Sequence, residues 1–254
     1  MRTDTGWPRR LGQLCLFYLM LLWLGAMLLA GNLGLLPLLA TPRSFREPLA
    51  QQLISGLFRL FLWGAQRCGL MHLDLNALDG LNQRAPMLLV ANHPSMIDVF
   101  LIVSRVHRTV CLMKASIGAN LLLGIGARVA GYVSNRHPDT MLRQAIRVLA
   151  PGQHLLVFPE GTRTTRQPVN ILKPGVALIA KRAHVPLQAI FLVTNSPYLS
   201  KGWPLFRPPQ FPLVYRATLG AQLASSGACA ETAGSLQAYF EQHLTRSIDP
   251  SLHA

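Results

Sequence analysis

The longest apolar stretch of the chain lies near its N-terminus. Residues 11–40 contain no charged side chain, and Gln13 and Asn32 are the only strongly polar residues among them. About 20 consecutive apolar residues suffice for a helix that crosses a bilayer, so this stretch predicts a membrane helix. A cleaved signal peptide is the alternative, but its apolar core would be shorter and a small-residue cleavage site would follow it. We therefore expect the segment to be retained.

The flanks of this segment raise a question of topology. Arg2, Arg9 and Arg10 precede it, which favours a cytoplasmic N-terminus, and one crossing would then place the rest of the chain outside the cytoplasm. Two places could interrupt the helix, because glycine and proline break helical structure. They are Gly31-Asn32-Leu33-Gly34 and Pro37.

A second segment, residues 49–70, mixes leucine and phenylalanine with arginine and glutamine. This pattern predicts an amphipathic helix in the membrane interface. A two-helix anchor over residues 1–73, re-entrant or doubly crossing, would return the chain to the cytoplasm. A buried hydrophobic hairpin of a soluble protein is the alternative.

From residue 74 to residue 254 short apolar runs alternate with longer helical patterns. The runs predict strands at residues 87–91, 110–113, 131–134, 154–158, 187–193 and 213–219. The patterns between and after them predict helices at residues 95–106, 117–130, 138–150 and 174–183 and a surface helix at 231–248. Residues 196–212 hold five prolines and predict an irregular loop. This alternation favours an α/β layered fold, with a largely parallel sheet flanked by helices, preceded by the membrane anchor.

Charge and composition narrow the possible partners. The chain has 254 residues, of which 50% are hydrophobic and only 13% charged, with a formal net charge of +14. A basic, apolar chain suits an anionic membrane surface. Nucleic acid is disfavoured because the arginines are scattered and no recognition motif is present. The four cysteines are far apart, which predicts reduced thiols and neither a zinc site nor a disulfide scaffold.

The first candidate for chemistry is the block Asn92-His93-Pro94-Ser95-Met96-Ile97-Asp98, which directly follows the predicted strand 87–91. A histidine beside a carboxylate can remove a proton from a hydroxyl, because the carboxylate fixes the tautomer of the ring. Ser95 lies in no Gly-x-Ser-x-Gly context, so a covalent acyl-serine is not supported. Alone, the His93/Asp98 spacing also fits a structural histidine at a helix start.

The second block, Phe158-Pro159-Glu160-Gly161-Thr162-Arg163, follows the strand predicted at residues 154–158. Gly161 permits close approach of the backbone to a ligand, Arg163 offers a planar fork suited to phosphate, and Thr162 can add a donor. Glu160 can bind a substrate hydroxyl or position the arginine. A turn with a salt bridge is the alternative. Because the carboxyl ends of parallel strands meet at one edge, we expect both blocks to lie there.

Further cations accompany these blocks. Residues 101–182 carry twelve lysines and arginines against two acidic residues. Lys114 and Arg136 follow two predicted strands and could face the same rim, although each taken singly also fits a solvated surface charge. Together the cations predict a positive pocket that attracts an anionic substrate.

These blocks resemble the N-H-x4-D and F-P-E-G-T-R motifs of the 1-acylglycerol-3-phosphate acyltransferase (lysophospholipid acyltransferase) family. Lys173-Pro174-Gly175 and Val185-Pro186-Leu187 are similar to later segments of that family, in the same order. The resemblance covers about residues 85–195. The chain departs from the family pattern at two places. Gly131-Tyr132-Val133-Ser134-Asn135-Arg136 is one residue shorter than the corresponding family segment and contains the polar Ser134. The segment directly after Arg163 is also less typical of the family.

The resemblance implies transfer of an acyl group from a thioester, acyl-CoA or acyl carrier protein, to a hydroxyl of a lysophospholipid. By position, His93 would be the general base and Asp98 its orienting partner, while Glu160, Gly161 and Arg163 would bind the acceptor. It implies no cofactor besides the thioester co-substrate, no metal, and a membrane-associated enzyme at the cell membrane facing the cytoplasm.

Three alternatives remain open at this point. The acceptor could be an ornithine lipid or another specialised lipid instead of a phosphatidate precursor. The chain could be a non-catalytic module that binds anionic lipid through its basic rim. A zinc hydrolase built on His93 and Asp98 ranks below both, because no third ligand of suitable spacing is evident.

Overall fold

A computed structural model describes residues 7–150, 152–224 and 228–248 of the chain. Arg2 lies outside the described residues. The helices are α1 (Trp7–Leu35), α2 (Arg43–Arg67), α3 (Asp98–Arg105), α4 (Gly124–Val129), α5 (Pro138–Leu149), α6 (Gly175–Ala183) and α7 (Cys229–Ile248). The strands are β1 (Met71–Asp74), β2 (Leu88–Ala91), β3 (Thr109–Met113), β4 (Val133–Ser134), β5 (His154–Val157), β6 (Leu187–Thr194) and β7 (Leu213–Leu223).

The seven strands form one sheet in the order β1-β7-β6-β2-β5-β3-β4. Strands β6, β2, β5, β3 and β4 are parallel, whereas β7 runs antiparallel to β6 and β1 follows the direction of β7. The predicted largely parallel α/β layered fold is therefore confirmed.

Both faces of the central strands are covered. In β2, Leu89 and Ala91 face a core shared with α1, α2 and α3, while Leu88 and Val90 face a core shared with α5, α6 and α7. All four side chains are completely buried. Burial on both faces is why β2 is continuously apolar and not alternating.

Several predicted elements differ from the observed ones at their ends. The helix predicted at 117–130 is instead a 3-10 turn (Ala115–Ala119) followed by the short α4. Here the backbone of Gly124 approaches Gly118 so closely that a Cβ on Gly124 would lie 2.6 Å from the Gly118 carbonyl oxygen. The strand predicted at 131–134 shortens to β4, because Gly131 has a φ of 76°. Strand β1 was not predicted.

Helix α7 is more buried than the prediction of a surface helix implied. Its Leu236, Phe240 and Leu244 are at most 2% exposed and belong to the core beneath α5 and α6. Only the opposite face of the helix is solvated.

Helix α1 continues through residues 31–34, one of the two places where glycine or proline could have interrupted it. The side chain of Asn32 is buried and satisfied, because its Nδ2 donates to the Leu121 carbonyl (3.0 Å) and its Oδ1 accepts from the Gly126 amide (2.7 Å). The chain leaves the helix only at the 3-10 turn Leu36–Ala40, which contains Pro37. Within the described residues, the segment Arg10–Ala40 is the one helix long and apolar enough to cross a membrane.

Helix α2 begins six residues before the predicted amphipathic segment. One of its faces packs into the core through Ile54, Phe58 and Phe61, while Leu53, Leu60 and Trp63 are about half exposed. The division of the chain into a 1–73 anchor and a 74–254 catalytic domain stays a prediction. Its boundary falls within β1, which pairs with β7 in the sheet.

Candidate active site

The two sequence blocks meet at the carboxyl edge of the sheet. Strands β2 and β5 are neighbours, with Val90 opposite Val157, so the segments that follow them leave the sheet side by side. The first segment carries His93 and the second carries Glu160. The predicted meeting of the blocks follows directly from this parallel register.

His93 and Asp98 form a hydrogen-bonded pair. His93 Nδ1 lies 2.8 Å from Asp98 Oδ2, and the same carboxylate oxygen accepts the Ser95 amide at 2.8 Å. The imidazole stacks on the Phe158 ring, with 4.1 Å between centroids. The Asp98 side chain is fully buried, whereas the imidazole is 18% exposed. Because Asp98 occupies Nδ1, the Nε2 atom is left as the ring nitrogen that can take a proton.

The electrostatics of Asp98 are set by its burial. Loss of water raises the pKa of this carboxyl, while the hydrogen bond and positive charge of His93 and the Ser95 amide act in the opposite direction. The carboxylate therefore depends on the imidazole for its stabilisation.

Glu160 holds the backbone of His93 in place. Its Oε1 accepts the His93 amide (2.8 Å) and the Thr164 hydroxyl (2.8 Å), and its Oε2 accepts the Asn170 amide (3.0 Å). The Thr164 amide in turn donates to the His93 carbonyl at 2.7 Å. Both backbone polar groups of His93 are thus bonded to the second block. Glu160 is only 4% exposed, and no ion pair joins it to Arg163 among the described residues.

Gly161 occupies a backbone conformation that favours glycine. Its φ is 69°, and a Cβ at this position would lie 2.6 Å from Lys173 Nζ. The Gly161 amide donates to the Phe158 carbonyl, which closes the turn. Thr162 is exposed at the tip of this turn.

Arg163 ties the second block to the proline-rich loop. Its Nη1 donates to the Leu199 and Ser200 carbonyls, both at 2.9 Å. From the first block, Ser95 Oγ donates to the Tyr198 carbonyl at 2.9 Å. This loop, predicted as irregular, is thereby a wall of the site. Ser95 is completely buried, so its hydroxyl is a structural donor.

Lys114 and Arg136 lie at the same edge of the sheet but farther out. They follow β3 and β4, and Met113 pairs with Ser134. At roughly 4.8 Å per strand, β3 lies about 10 Å and β4 about 14 Å from β2. Both side chains are exposed. The two residues therefore follow strands that lie farther along this edge than the strand before His93, and their part in a basic rim stays a prediction.

The sequence reasoning missed Asn170, which organises the second block. Its Oδ1 accepts the Thr165 amide (3.1 Å), the Thr165 hydroxyl (3.0 Å) and the Arg166 amide (3.0 Å), and its Nδ2 donates to the Arg163 carbonyl (3.2 Å). An asparagine beside a proline-containing turn was a signal for such a role, because its side chain can replace missing backbone partners.

The described part of the chain contains no group of three or more histidine, cysteine, aspartate or glutamate side chains arranged to hold a metal ion.

Known proteins similar to this chain include several acyltransferases. Residues 72–193 match the family described as Acyltransferase. The chain is 24% identical over 135 residues to the chloroplastic 1-acyl-sn-glycerol-3-phosphate acyltransferase BAT2 of Brassica napus, which covers 51% of this chain and 39% of that protein. It is 31% identical over 132 residues to the lyso-ornithine lipid O-acyltransferase of Pseudomonas aeruginosa, which covers 50% of each protein. The chain thus spans half or less of the length of these curated relatives.

A solved structure extends the similarity of fold to nearly the whole chain. The 1-acyl-sn-glycerophosphate acyltransferase PlsC from Thermotoga maritima superimposes with a TM-score of 0.66 and 22% sequence identity, covering 97% of each chain. At this identity the match concerns the fold, including the two N-terminal helices. Residues 72–193, which carry the paired His93 and Glu160 blocks, are thus similar to the Acyltransferase family, and the solved structure extends the likeness of fold to the rest of the chain.

Proposed function

We propose that this protein is a membrane-associated O-acyltransferase that moves an acyl chain from a thioester, acyl-CoA or acyl carrier protein, to a hydroxyl of a lysophospholipid such as 1-acylglycerol-3-phosphate. The observation that carries the proposal is the His93–Asp98 pair, with Nδ1 bonded and the ring partly exposed beside the second block. This is the arrangement a general base for a hydroxyl needs.

The reaction is a direct displacement. His93 Nε2 removes the proton of the acceptor hydroxyl as its oxygen attacks the thioester carbonyl. The carbon–sulfur bond then breaks, and the departing thiolate takes the proton back from the imidazolium. Asp98 stabilises the positive ring during the step.

The side chains around the pair support attack without an acyl-enzyme. Ser95 is buried and bonded to a backbone carbonyl. Cys111 is buried on β3, where loss of water raises the pKa of its thiol to about 12, so it stays protonated and unreactive. A ternary complex of donor, acceptor and enzyme follows, without ping-pong kinetics.

The acceptor has two candidates. The basic rim and Arg163 suit the phosphate of 1-acylglycerol-3-phosphate. A lyso-ornithine lipid is the second candidate, because the relatives so named share 31% identity with this chain. A thiol-release assay with both lysolipids, each paired with acyl-CoA and with acyl carrier protein thioesters, tests the function and ranks acceptors and donors. If no pair gave thiol release, the acyltransferase proposal would be wrong, and the alternative of a non-catalytic module that binds anionic lipid would be favoured.

We further propose that the protein sits at the cell membrane with its catalytic domain towards the cytoplasm. The apolar α1, with its exposed leucines at positions 11, 19, 22 and 33, supports the membrane association. The arginines at positions 2, 9 and 10 favour a cytoplasmic N-terminus, and a re-entrant or doubly crossing two-helix anchor would return the catalytic domain to the same side.

A substitution of Lys114 tests whether the basic rim binds the acceptor, and it also distinguishes the two candidate acceptors. Lys114→Gln is expected to raise KM for 1-acylglycerol-3-phosphate by about three- to tenfold, with little change in kcat, because an exposed cation contributes to attraction and binding more than to chemistry. KM for a lyso-ornithine lipid, which lacks the phosphate, should change less. Arg147→Gln on the exposed face of α5 removes the same charge as a control. Equal KM values in Lys114→Gln and wild type would remove Lys114 from the site.

Asn170 should act as a positioning residue. Asn170→Ala removes the acceptor of three hydrogen bonds in the turn that holds the His93 backbone, so kcat is expected to fall about tenfold. Asn170→Asp keeps the accepting oxygens and should recover most of that loss. Initial rates at saturating donor and acceptor measure both variants. Equal losses in the alanine and aspartate variants would contradict a role through these hydrogen bonds.

A further inference from the structure

A second group of cationic side chains lies at the edge of the sheet opposite to His93. Arg59 of α2 and His107, which precedes β3, line a cavity of about 150 Å³ together with Asp79, Ser104 and Arg105. Helix α3 runs from Asp98 beside His93 to Arg105 beside this cavity. Eight residues at 1.5 Å each separate the two sites by on the order of 10 Å.

The charges of this cavity do not cancel. Arg105 is paired with Asp79, with 2.6 Å between Nη2 and Oδ2. Arg59 has no carboxylate within ion-pair distance in the described ranges. Its Nε donates to the Ser104 carbonyl at 3.3 Å, and its Nη2 lies 3.0 Å from His107 Nδ1. Burial and the Arg59 charge lower the pKa of His107, so the ring is neutral at neutral pH. The positive charge of Arg59 is therefore left uncompensated in the cavity, where it can bind one anion.

An apolar groove adjoins this charge. Gly56, Leu60 and Trp63 line it with Arg59, and its volume is about 360 Å³, within the range of pockets that hold small molecules. Leu60 is 48% and Trp63 is 55% exposed. The Arg67 guanidinium lies 5.5 Å from the centroid of the Trp63 ring. The exposed stripe of α2 is thus apolar and bordered by arginines, as in helices that lie at a membrane surface.

The helix that carries the groove also packs against the candidate membrane helix, through other residues. Trp23 of α1 packs against Phe61 of α2, with 6.0 Å between ring centroids, and closely approaches Gly64. A ligand in the groove would meet the apolar surface of α2 and, at one end, the Arg59 guanidinium. A soluble phosphate would use only the guanidinium, whereas a phospholipid would use both.

We propose that the Arg59 cavity and the adjoining groove bind an anionic phospholipid, with its phosphate at Arg59 and one acyl chain over Gly56, Leu60 and Trp63. The site is separate from the His93 pair and does not depend on the proposed reaction. It would anchor α2 to an anionic lipid at the membrane surface.

Gly56→Glu tests the site without deleting any contact. A Cβ at Gly56 meets no heavy atom within 4 Å, and a glutamate there lies three residues before Arg59, where it neutralises the guanidinium and stabilises the helix. Ser44→Glu is the matched control, because it adds the same charge to an exposed position of the same helix. Arg59→Gln and Arg43→Gln form a second pair that removes a charge inside and outside the site.

The measurement uses the full chain in neutral detergent micelles, titrated with dioctanoyl phosphatidylglycerol, dioctanoyl phosphatidylcholine and glycerol phosphate, with bound ligand counted by native mass spectrometry. We expect wild type to prefer phosphatidylglycerol over the other two ligands. Gly56→Glu and Arg59→Gln should each weaken its binding about tenfold, and the two controls less than twofold.

Three outcomes would overturn the proposal: unchanged phosphatidylglycerol binding in the two site variants, equal binding of phosphatidylcholine, or equal binding of glycerol phosphate. Thiol release measured in the same micelles tests the catalytic proposal separately, since neither Gly56 nor Arg59 belongs to the His93 site.

Discussion

Replacing His93 with alanine is expected to lower the rate of thiol release by about 10³-fold or more, because positioned general bases contribute typically 10²–10⁴-fold. The His93 imidazole combines an Nδ1 bonded to Asp98 with a ring that is partly open to substrate. Initial rates of thiol release from a thioester in the presence of lysolipid measure the effect.

The fold of the His93→Ala variant should survive, since Glu160 and Thr164 bond the His93 backbone and not its ring. Membrane association should be retained, because α1 is untouched. His93→Gln keeps a side chain that can donate to Asp98 but cannot act as a base, and it should be as inactive as the alanine variant. His72→Ala, at an exposed position of β1, is the control. Activity of either His93 variant above a tenth of wild type would rule out the assignment of the base.

Asp98→Asn is expected to lower kcat on the order of 10²–10³-fold while leaving KM values within a few-fold, because a neutral amide cannot stabilise the positive imidazolium that forms during proton transfer. His93 Nδ1 and the Ser95 amide both bond Asp98 Oδ2. The asparagine oxygen can take this position and keep both bonds, so the substitution removes the negative charge and leaves the ring oriented. Saturation kinetics with varied donor and acceptor separate kcat from KM.

Asp74→Asn provides the matched control for this substitution. Asp74 is exposed and pairs with Arg216 on neighbouring strands at the far side of the sheet, and exposed pairs contribute little to stability. Its activity should equal that of wild type. If Asp98→Asn raised KM with kcat unchanged, Asp98 would be a substrate-binding group and not the partner of a base.

Much of the sheet could be predicted because buried parallel strands are short and continuously apolar, as in β2 and β5. Strand β1 was not predicted because Met71–Asp74 alternates in burial and directly follows α2. Its few residues show neither a long apolar run nor a turn signal. The helix predicted at 117–130 failed for a different reason. The approach of Gly124 to Gly118 is a tertiary contact, and helical periodicity cannot report it.

The site shows the same division between local pattern and long-range contact. The pairing of His93 with Asp98 is predictable, since five positions across a strand–helix turn bring the two side chains together. The role of Glu160 is not predictable, because its partner is the backbone of a residue 67 positions away. Arg163 likewise bonds carbonyls 36 and 37 positions away.

The sequence alone determined the apolar N-terminal helix, the α/β class, the His93–Asp98 pair and the resemblance to lipid acyltransferases, because each follows from local periodicity or from motif residues close together in the chain. The tertiary structure decided that the second block supports His93, that Lys114 and Arg136 follow strands farther along the edge, and that Arg59 borders a groove of α2. The physical reason is that strand order and register determine which distant segments meet, and the backbone groups of those segments must find partners wherever the fold places them.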